Sequence, residues 1–263
     1  MKARKRLGQH FLEPAWVARL VEEIGPGLDE TFLEIGPGRG ALTLALAPRV
    51  ARLVAVEVDR DLARALRRRV PGHVTIVEGD FLETDLGALL EGNVPARVAG
   101  NLPYNLSTPI LFRLLALADQ GRRLRDATLM LQREVADRLG ATPGGKIWGV
   151  LSACQQLRAD VEKRFVLPPG AFRPAPKVHS AVVTLRYRPP APPVTDAALF
   201  DALVRAIFTQ RRKVLDNALE PFAAARGTTS RAALAEAGLD GRRRPETLSL
   251  AELAALAEVF ARD

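Results

Sequence analysis

The 263 residues include a single cysteine, Cys154, which excludes an internal disulfide and any metal site built from a cysteine cluster. Three histidines scattered along the chain do not make a zinc constellation either, and no metal is expected. Cys154 itself reads as a buried structural thiol. Long apolar runs are missing as well. The basic start Met1-Lys2-Ala3-Arg4-Lys5-Arg6 leads into Leu7-Gly8-Gln9-His10 instead of an apolar signal core. Neither secretion nor membrane insertion is therefore expected, and the default location is cytoplasmic. Lysine is scarce, at six of the 38 basic residues. Genome composition or a hot habitat gives the same arginine-rich balance, so charge alone is weak support for nucleic-acid binding.

What is present is a globular composition. With 48% hydrophobic residues, a chain of this length can bury one substantial core and a small appended one. The net charge of +8 is unevenly placed: residues 1–20 carry +4, 21–119 carry −4, 120–190 carry +8, and 191–263 are balanced. An acidic module is flanked by basic ones. Basic surface suits a polyanion, because each neutralised phosphate releases condensed counterions. The candidate phosphate contacts are Arg4, Lys5 and Arg6, the cluster Arg122, Arg123 and Arg125, and the run Arg211, Arg212 and Lys213.

From residue 31 to about 118, short β-rich runs alternate with helical ones. Strands are predicted at Thr31 to Ile35, Leu53 to Glu57, Val74 to Val77 and Arg97 to Ala99, and helices at Leu42 to Val50, Asp61 to Arg69 and Ile110 to Ala118. A fifth unit puts a strand at Ala127 to Leu131 and a helix at Gln132 to Leu139, and Ala181 to Tyr187 alternates so as to close the sheet as its last strand. This is the pattern of an α/β fold, a parallel sheet wrapped on both faces, whose ligands bind outside the carboxyl ends of the strands. Arg188-Pro189-Pro190-Ala191-Pro192-Pro193 is a stiff, extended break. Beyond it, Leu199, Leu203 and Ile207 lie on one apolar stripe and Ser249-Leu250-Ala251-Glu252 is a capping box. Two domains follow, 1–190 and an all-helical 191–263.

Chemistry concentrates at Asn101-Leu102-Pro103-Tyr104, directly after an apolar strand. The amine of a nucleic-acid base is a poor nucleophile, since its lone pair is delocalised into the ring. The Asn101 amide oxygen can accept one amine hydrogen. Pro103 biases Leu102 toward an extended conformation, so that the Leu102 carbonyl can accept the second. Tyr104 offers a ring on which an extruded base can stack. A second constellation begins at Glu34-Ile35-Gly36-Pro37-Gly38-Arg39-Gly40, a strand-to-helix turn whose glycines allow close backbone approach to a ligand. Glu57, at the tip of the second strand, can accept from both hydroxyls of a ribose, and Asp80, at the end of the third, from an adenine amine. These features also fit a dinucleotide enzyme. The Asn101 motif breaks the tie toward S-adenosylmethionine.

The chain resembles the small-subunit ribosomal RNA adenine dimethyltransferase family, associated with kasugamycin sensitivity in bacteria. The likeness rests on Arg4 to Leu12, Leu33 to Gly38, Asn101 to Asn105, Phe172-Arg173-Pro174-Ala175-Pro176-Lys177-Val178 and Phe208 to Lys213, in the family's order. It implies a Rossmann-like S-adenosylmethionine-dependent methyltransferase sheet with a small C-terminal all-helical, RNA-binding domain, and a basic segment 1–20 closing over the cofactor. It further implies cofactor contacts from His10, Leu12, Gly36, Gly38, Glu57, Asp80 and Asn101, with Phe172 stacking on the target adenine opposite Tyr104. The family commonly carries Asn where this chain has His10. The implied reaction is N6,N6-dimethylation of two adjacent adenosines in the 3′-terminal hairpin loop of small-subunit RNA, by a monomer acting on the immature subunit. The rival readings are the large-subunit adenine methyltransferases of macrolide resistance and a non-catalytic ribosome assembly factor.

Overall fold

The computed structural model describes residues 10–90, 96–119 and 124–262. In chain order the elements are β1 (Phe11–Leu12), α1 (Pro14–Ile24), β2 (Thr31–Ile35), α2 (Ala41–Leu46), β3 (Arg52–Glu57), α3 (Arg60–Arg67), β4 (Val74–Glu78), α4 (Leu86–Leu89), β5 (Ala96–Asn101), α5 (Ser107–Asp119) and β6 (Leu124–Gln132). They continue with α6 (Arg133–Leu139), α7 (Val150–Arg158), β7 (Ala159–Leu167), β8 (Phe172–Arg173), β9 (Ser180–Tyr187), α8 (Ala197–Thr209), α9 (Leu215–Ala224), α10 (Ser230–Glu236) and α11 (Leu250–Phe260). Among the described residues no helix is long and apolar enough to cross a membrane.

A seven-stranded sheet in the order β4-β3-β2-β5-β6-β9-β7 organises the first compact unit, residues 1–136 and 161–187. Strands β4, β3, β2, β5 and β6 are parallel, and β9 returns antiparallel to β6. β2 and β3 are buried on both faces almost throughout, which is why they read as continuous apolar runs rather than alternating ones. Chain order reverses around β2, with β3 on one side and β5 on the other, so the crevice beyond its carboxyl end is where such a sheet takes a ligand. Asp59 caps α3, its carboxylate accepting from the Asp61 and Leu62 amides.

One expectation fails here. Ala181 to Tyr187 is a strand, but it is not the last in the sheet, because β7 lies outside it. β7 carries Asp160, Glu162, Lys163 and Arg164, charges that protect an exposed edge and hide the strand's alternation in the sequence.

The second compact unit is residues 137–160 and 188–263. It takes in an internal segment that a single cut at residue 190 assigns to the first domain. Its core includes Trp148, Phe200, Leu203, Val204, Ile207, Leu219 and Leu256. The stripe of α8 thus starts at Phe200, and Leu199 lies only partly buried beside it. The capping box of α11 forms as expected, Ser249 and Glu252 each accepting the other's amide.

Candidate active site

Five chain segments of the first unit surround a cavity of about 340 Å³ outside the carboxyl ends of β2, β3 and β5. Its floor is the turn after β2. Gly36 has φ +64°, and no atom lies within 4 Å of where its Cβ would be. Any side chain there is strained, and the bare backbone is left facing open space. Gly38, also at positive φ, donates its amide to Glu57 Oε2 at 2.8 Å, while Glu57 Oε1 accepts from the Asp59 amide at 2.8 Å. Both carboxylate oxygens keep a further lone pair for hydroxyl groups. Burial pushes the Glu57 carboxyl above its usual pKa, against the pull of those two amides.

Glu34 is a wall residue that sequence reasoning quoted within the motif but gave no role. It is 2% exposed, and its Oε2 has no hydrogen-bond partner among the described residues. Burial, reinforced by the neighbouring charge of Glu57, raises its pKa to about 8. The available signal was a carboxylate inside the otherwise apolar Phe32-Leu33-Glu34-Ile35, directly before the glycine turn.

Opposite the turn, β5 ends at Asn101. The Leu102 amide donates to the Met130 carbonyl at 3.0 Å, which ties the tetrapeptide to β6. Asn101 Nδ2 donates to the His10 carbonyl at 2.8 Å, so the amide is oriented with Oδ1 as the end left to accept. The Tyr104 hydroxyl shares a 2.6 Å hydrogen bond with Ser180 Oγ, and its ring stacks against the His10 imidazole. Burial raises the Tyr104 pKa.

The third wall is the arm that begins at His10. β1 pairs antiparallel with β8, and Phe11 lies over the glycine turn, where a Cβ on Gly38 would come within 3.2 Å of its ring. The Arg39 guanidinium sits 4.1 Å from the Phe11 ring centroid. His10, Leu12, Gly36, Gly38, Glu57, Asn101, Leu102, Pro103 and Tyr104 all border the cavity.

Two of the predicted catalytic and cofactor-binding residues do not. Phe172 is fully buried in the core beneath the arm, so it shows no face to a base. The reason is strand alternation: in β8 the side chain of Phe172 turns inward and that of Arg173 outward, and it is Arg173 that borders the cavity, paired with Glu13 at 3.3 Å. Asp80, half-buried after β4, is outside the cavity wall and accepts the Leu82 amide through Oδ1 at 2.8 Å. Of the candidate phosphate contacts, Arg4, Lys5, Arg6, Arg122 and Arg123 lie outside the described residues. Arg125 pairs with Glu30. In the second unit Arg211 pairs with Glu246, and Arg212 and Lys213 are exposed.

Comparison with known proteins places this geometry. The family described as ribosomal RNA adenine dimethylase matches residues 1–260. A protein named ribosomal RNA small subunit methyltransferase A from Geobacter sulfurreducens is 47% identical over 265 residues, covering 97% of this chain and 94% of the relative. A protein of the same name from Anaeromyxobacter dehalogenans strain 2CP-C is 45% identical over 266 residues, with 97% and 93% covered. Among solved structures, a dimethyladenosine transferase from Plasmodium falciparum superposes with a TM-score of 0.79 at 21% identity, covering 94% of this chain and 96% of that one, a likeness of fold. The 23S rRNA methyltransferase ErmE superposes with a TM-score of 0.67 at 26% identity, over 95% and 99%. The sheet is that of the Rossmann-like methyltransferases, and a match of this extent and identity makes the chain a member of the ribosomal RNA adenine dimethylase family.

Proposed function

We propose that this chain transfers methyl groups from S-adenosylmethionine to the N6 amines of two adjacent adenosines in the 3′-terminal hairpin loop of small-subunit ribosomal RNA, in the immature subunit. The observation that carries the reading is Asn101, held with Oδ1 as its accepting end beside Tyr104, on the same cavity as the glycine turn and Glu57.

The residues present fit the cofactor. Open backbone at Gly36 admits close approach, Glu57 has lone pairs for a ribose, and the unpartnered oxygen of Glu34 suits a cationic group. Asp80, standing outside the wall, retains Oδ2 for an adenine amine. When bound, S-adenosylmethionine supplies a methyl group already activated by its sulfonium, so neither a metal nor a nucleophilic side chain is required.

The protein's part is positioning and charge stabilisation. Asn101 Oδ1 and the Leu102 carbonyl would accept the two hydrogens of the unmethylated amine and orient its nitrogen lone pair; the monomethylated amine of the second transfer has one hydrogen left, for one of these two oxygens. With the methyl donor bound, these oxygens would stabilise the positive charge that develops on the amine nitrogen. The methylated nitrogen then releases its proton to water, so no general base is assigned. Tyr104 holds the base by stacking, which single-stranded loops permit because their bases can be splayed out.

Transfer of labelled methyl to unmodified small subunits, with large-subunit RNA in parallel and nucleosides identified by mass, tests the reading. Dimethyladenosine at two adjacent small-subunit positions is the expected product. Label only in large-subunit RNA, or tight subunit binding without label, overturns it.

A further inference from the structure

His10 touches Asn101 and Tyr104, two of the three residues to which the proposed reaction assigns the target base. Its carbonyl accepts from Asn101 Nδ2 at 2.8 Å, and its imidazole stacks on Tyr104 with ring centroids 5.6 Å apart and planes 24° from parallel. The imidazole is itself held: Nδ1 lies 2.7 Å from the Pro174 carbonyl. A carbonyl can only accept, so Nδ1 carries the proton and donates. Tyr104 is pinned from the other end by Ser180. The two rings therefore form a fixed pair in the cavity wall.

The spacing decides what that pair is for. A base sandwiched between two rings needs them about 7 Å apart, twice the ~3.5 Å contact distance of carbon on carbon. At 5.6 Å the rings leave no room for a third between them. They sit at the separation of an offset stack that is complete as it stands. We infer that the His10 imidazole is a placeholder for the methyl-accepting base: it covers the cavity-side face of Tyr104 until an adenine displaces it, giving up its bond to Pro174 as it leaves. The inference rests on the proposed function for the identity of the incoming base. It assigns the His10 side chain to the acceptor side of the cavity, not to the cofactor side. With the ring removed, a base need not break an existing stack, so RNA binds more readily. The carbonyl that orients Asn101 belongs to the backbone and survives substitution.

Two measurements on the full chain test this. In the first, KM for unmodified small subunits and the dissociation constant of S-adenosylhomocysteine are compared between the wild type and His10→Ala. KM is expected to fall roughly two- to tenfold, the range that one stacked pair of rings supplies, with S-adenosylhomocysteine binding held within about twofold. A raised KM would make the ring a wall of the slot, and weakened S-adenosylhomocysteine binding with unchanged KM would make it a cofactor contact; either result overturns the placeholder. In the second, the ring resonances of the three histidines are followed by NMR while an unmodified RNA hairpin with adjacent loop adenosines is added. His10 is expected to lose the ring-current displacement caused by Tyr104 and move toward its position in the Tyr104→Ala variant. A resonance that stays in place overturns the inference. Should the wild type transfer no methyl to small subunits, the proposed function fails, and the NMR titration still decides where the His10 ring goes.

Discussion

The two ends of strand β5 are opposites in chemistry. At its amino end Arg97, 7% exposed, spends every guanidinium nitrogen. Nε donates to Asp126 at 3.0 Å, Nη1 to the Gly25 carbonyl and to Glu30 at 2.7 Å, and Nη2 to the Ile24 carbonyl at 2.6 Å. At its carboxyl end Asn101 has one amide arm engaged and the other left to accept, and on the neighbouring strand Glu34 buries an oxygen with no partner among the described residues. A buried polar group without a partner costs stability that a satisfied one does not. At this end a ligand can supply the missing partners, whereas at the opposite end Arg97 fastens the same strand to its neighbours.

Substitutions at the two ends should separate stability from activity. Arg97→Ala leaves Glu30 and Asp126 with only the exposed Arg125 as a cationic partner among the described residues, so unfolding free energy by urea denaturation should fall by about 2–3 kcal/mol. A loss under 1 kcal/mol would erase the contrast. Asn101→Ala should leave that stability nearly unchanged while lowering kcat by on the order of 10²–10³-fold, the effect of deleting one preorganised group at a developing charge. Small-subunit binding, read by sedimentation, should survive.

Glu34 gives a contrast in pH. Folded, its carboxyl stays protonated up to about 8; its reference value is 4.5. Folding therefore takes up a proton between those values, and the wild type loses stability as pH rises from 4.5 through 8. Glu34→Gln removes the titration and should be the more stable protein at pH 7 by on the order of 3 kcal/mol. Urea melts at pH 5.5 and 8.5 should show a steeper loss of stability in the wild type than in the variant, where the raised carboxyl of Glu57 still contributes its own share. The smallest effect is expected from Tyr104→Phe, which loses only the hydrogen bond to Ser180. KM for the RNA should rise by a factor of about five, near 1 kcal/mol, with kcat little changed.

Much of the carboxyl end was legible because its signals are local. A glycine turn follows an apolar run, carboxylates stand at strand tips, and Asn101 to Tyr104 are contiguous, so neighbouring residues alone carry each pattern. Arg97 was visible only as one residue of a short strand, since Glu30 and Asp126 lie 67 and 29 residues away. Phe172 failed for a related reason. The Phe-Arg-Pro stretch names an aromatic residue, but which way it points depends on the pairing of Phe172 with Leu12 across 160 residues of chain. β7 was missed because an edge strand needs charge on its surface, and charge masks the alternation that reveals other strands.

The sequence by itself determined the main alternation of strands and helices from Thr31 to Leu139, the turn that only glycine can make, the break at residues 188–193, the capping box of the last helix and the placement of Asn101 after a buried strand. Backbone preference and hydrophobic period act over a few residues, and a linear reading contains them. Only the tertiary structure decided that residues 137–160 pack with the C-terminal helices, that Phe172 turns into the core, that Glu34 keeps an unpartnered oxygen beside the cavity and that His10 lies on Tyr104. Burial and hydrogen-bond satisfaction are properties of segments brought together from distant parts of the chain, and no local pattern encodes them.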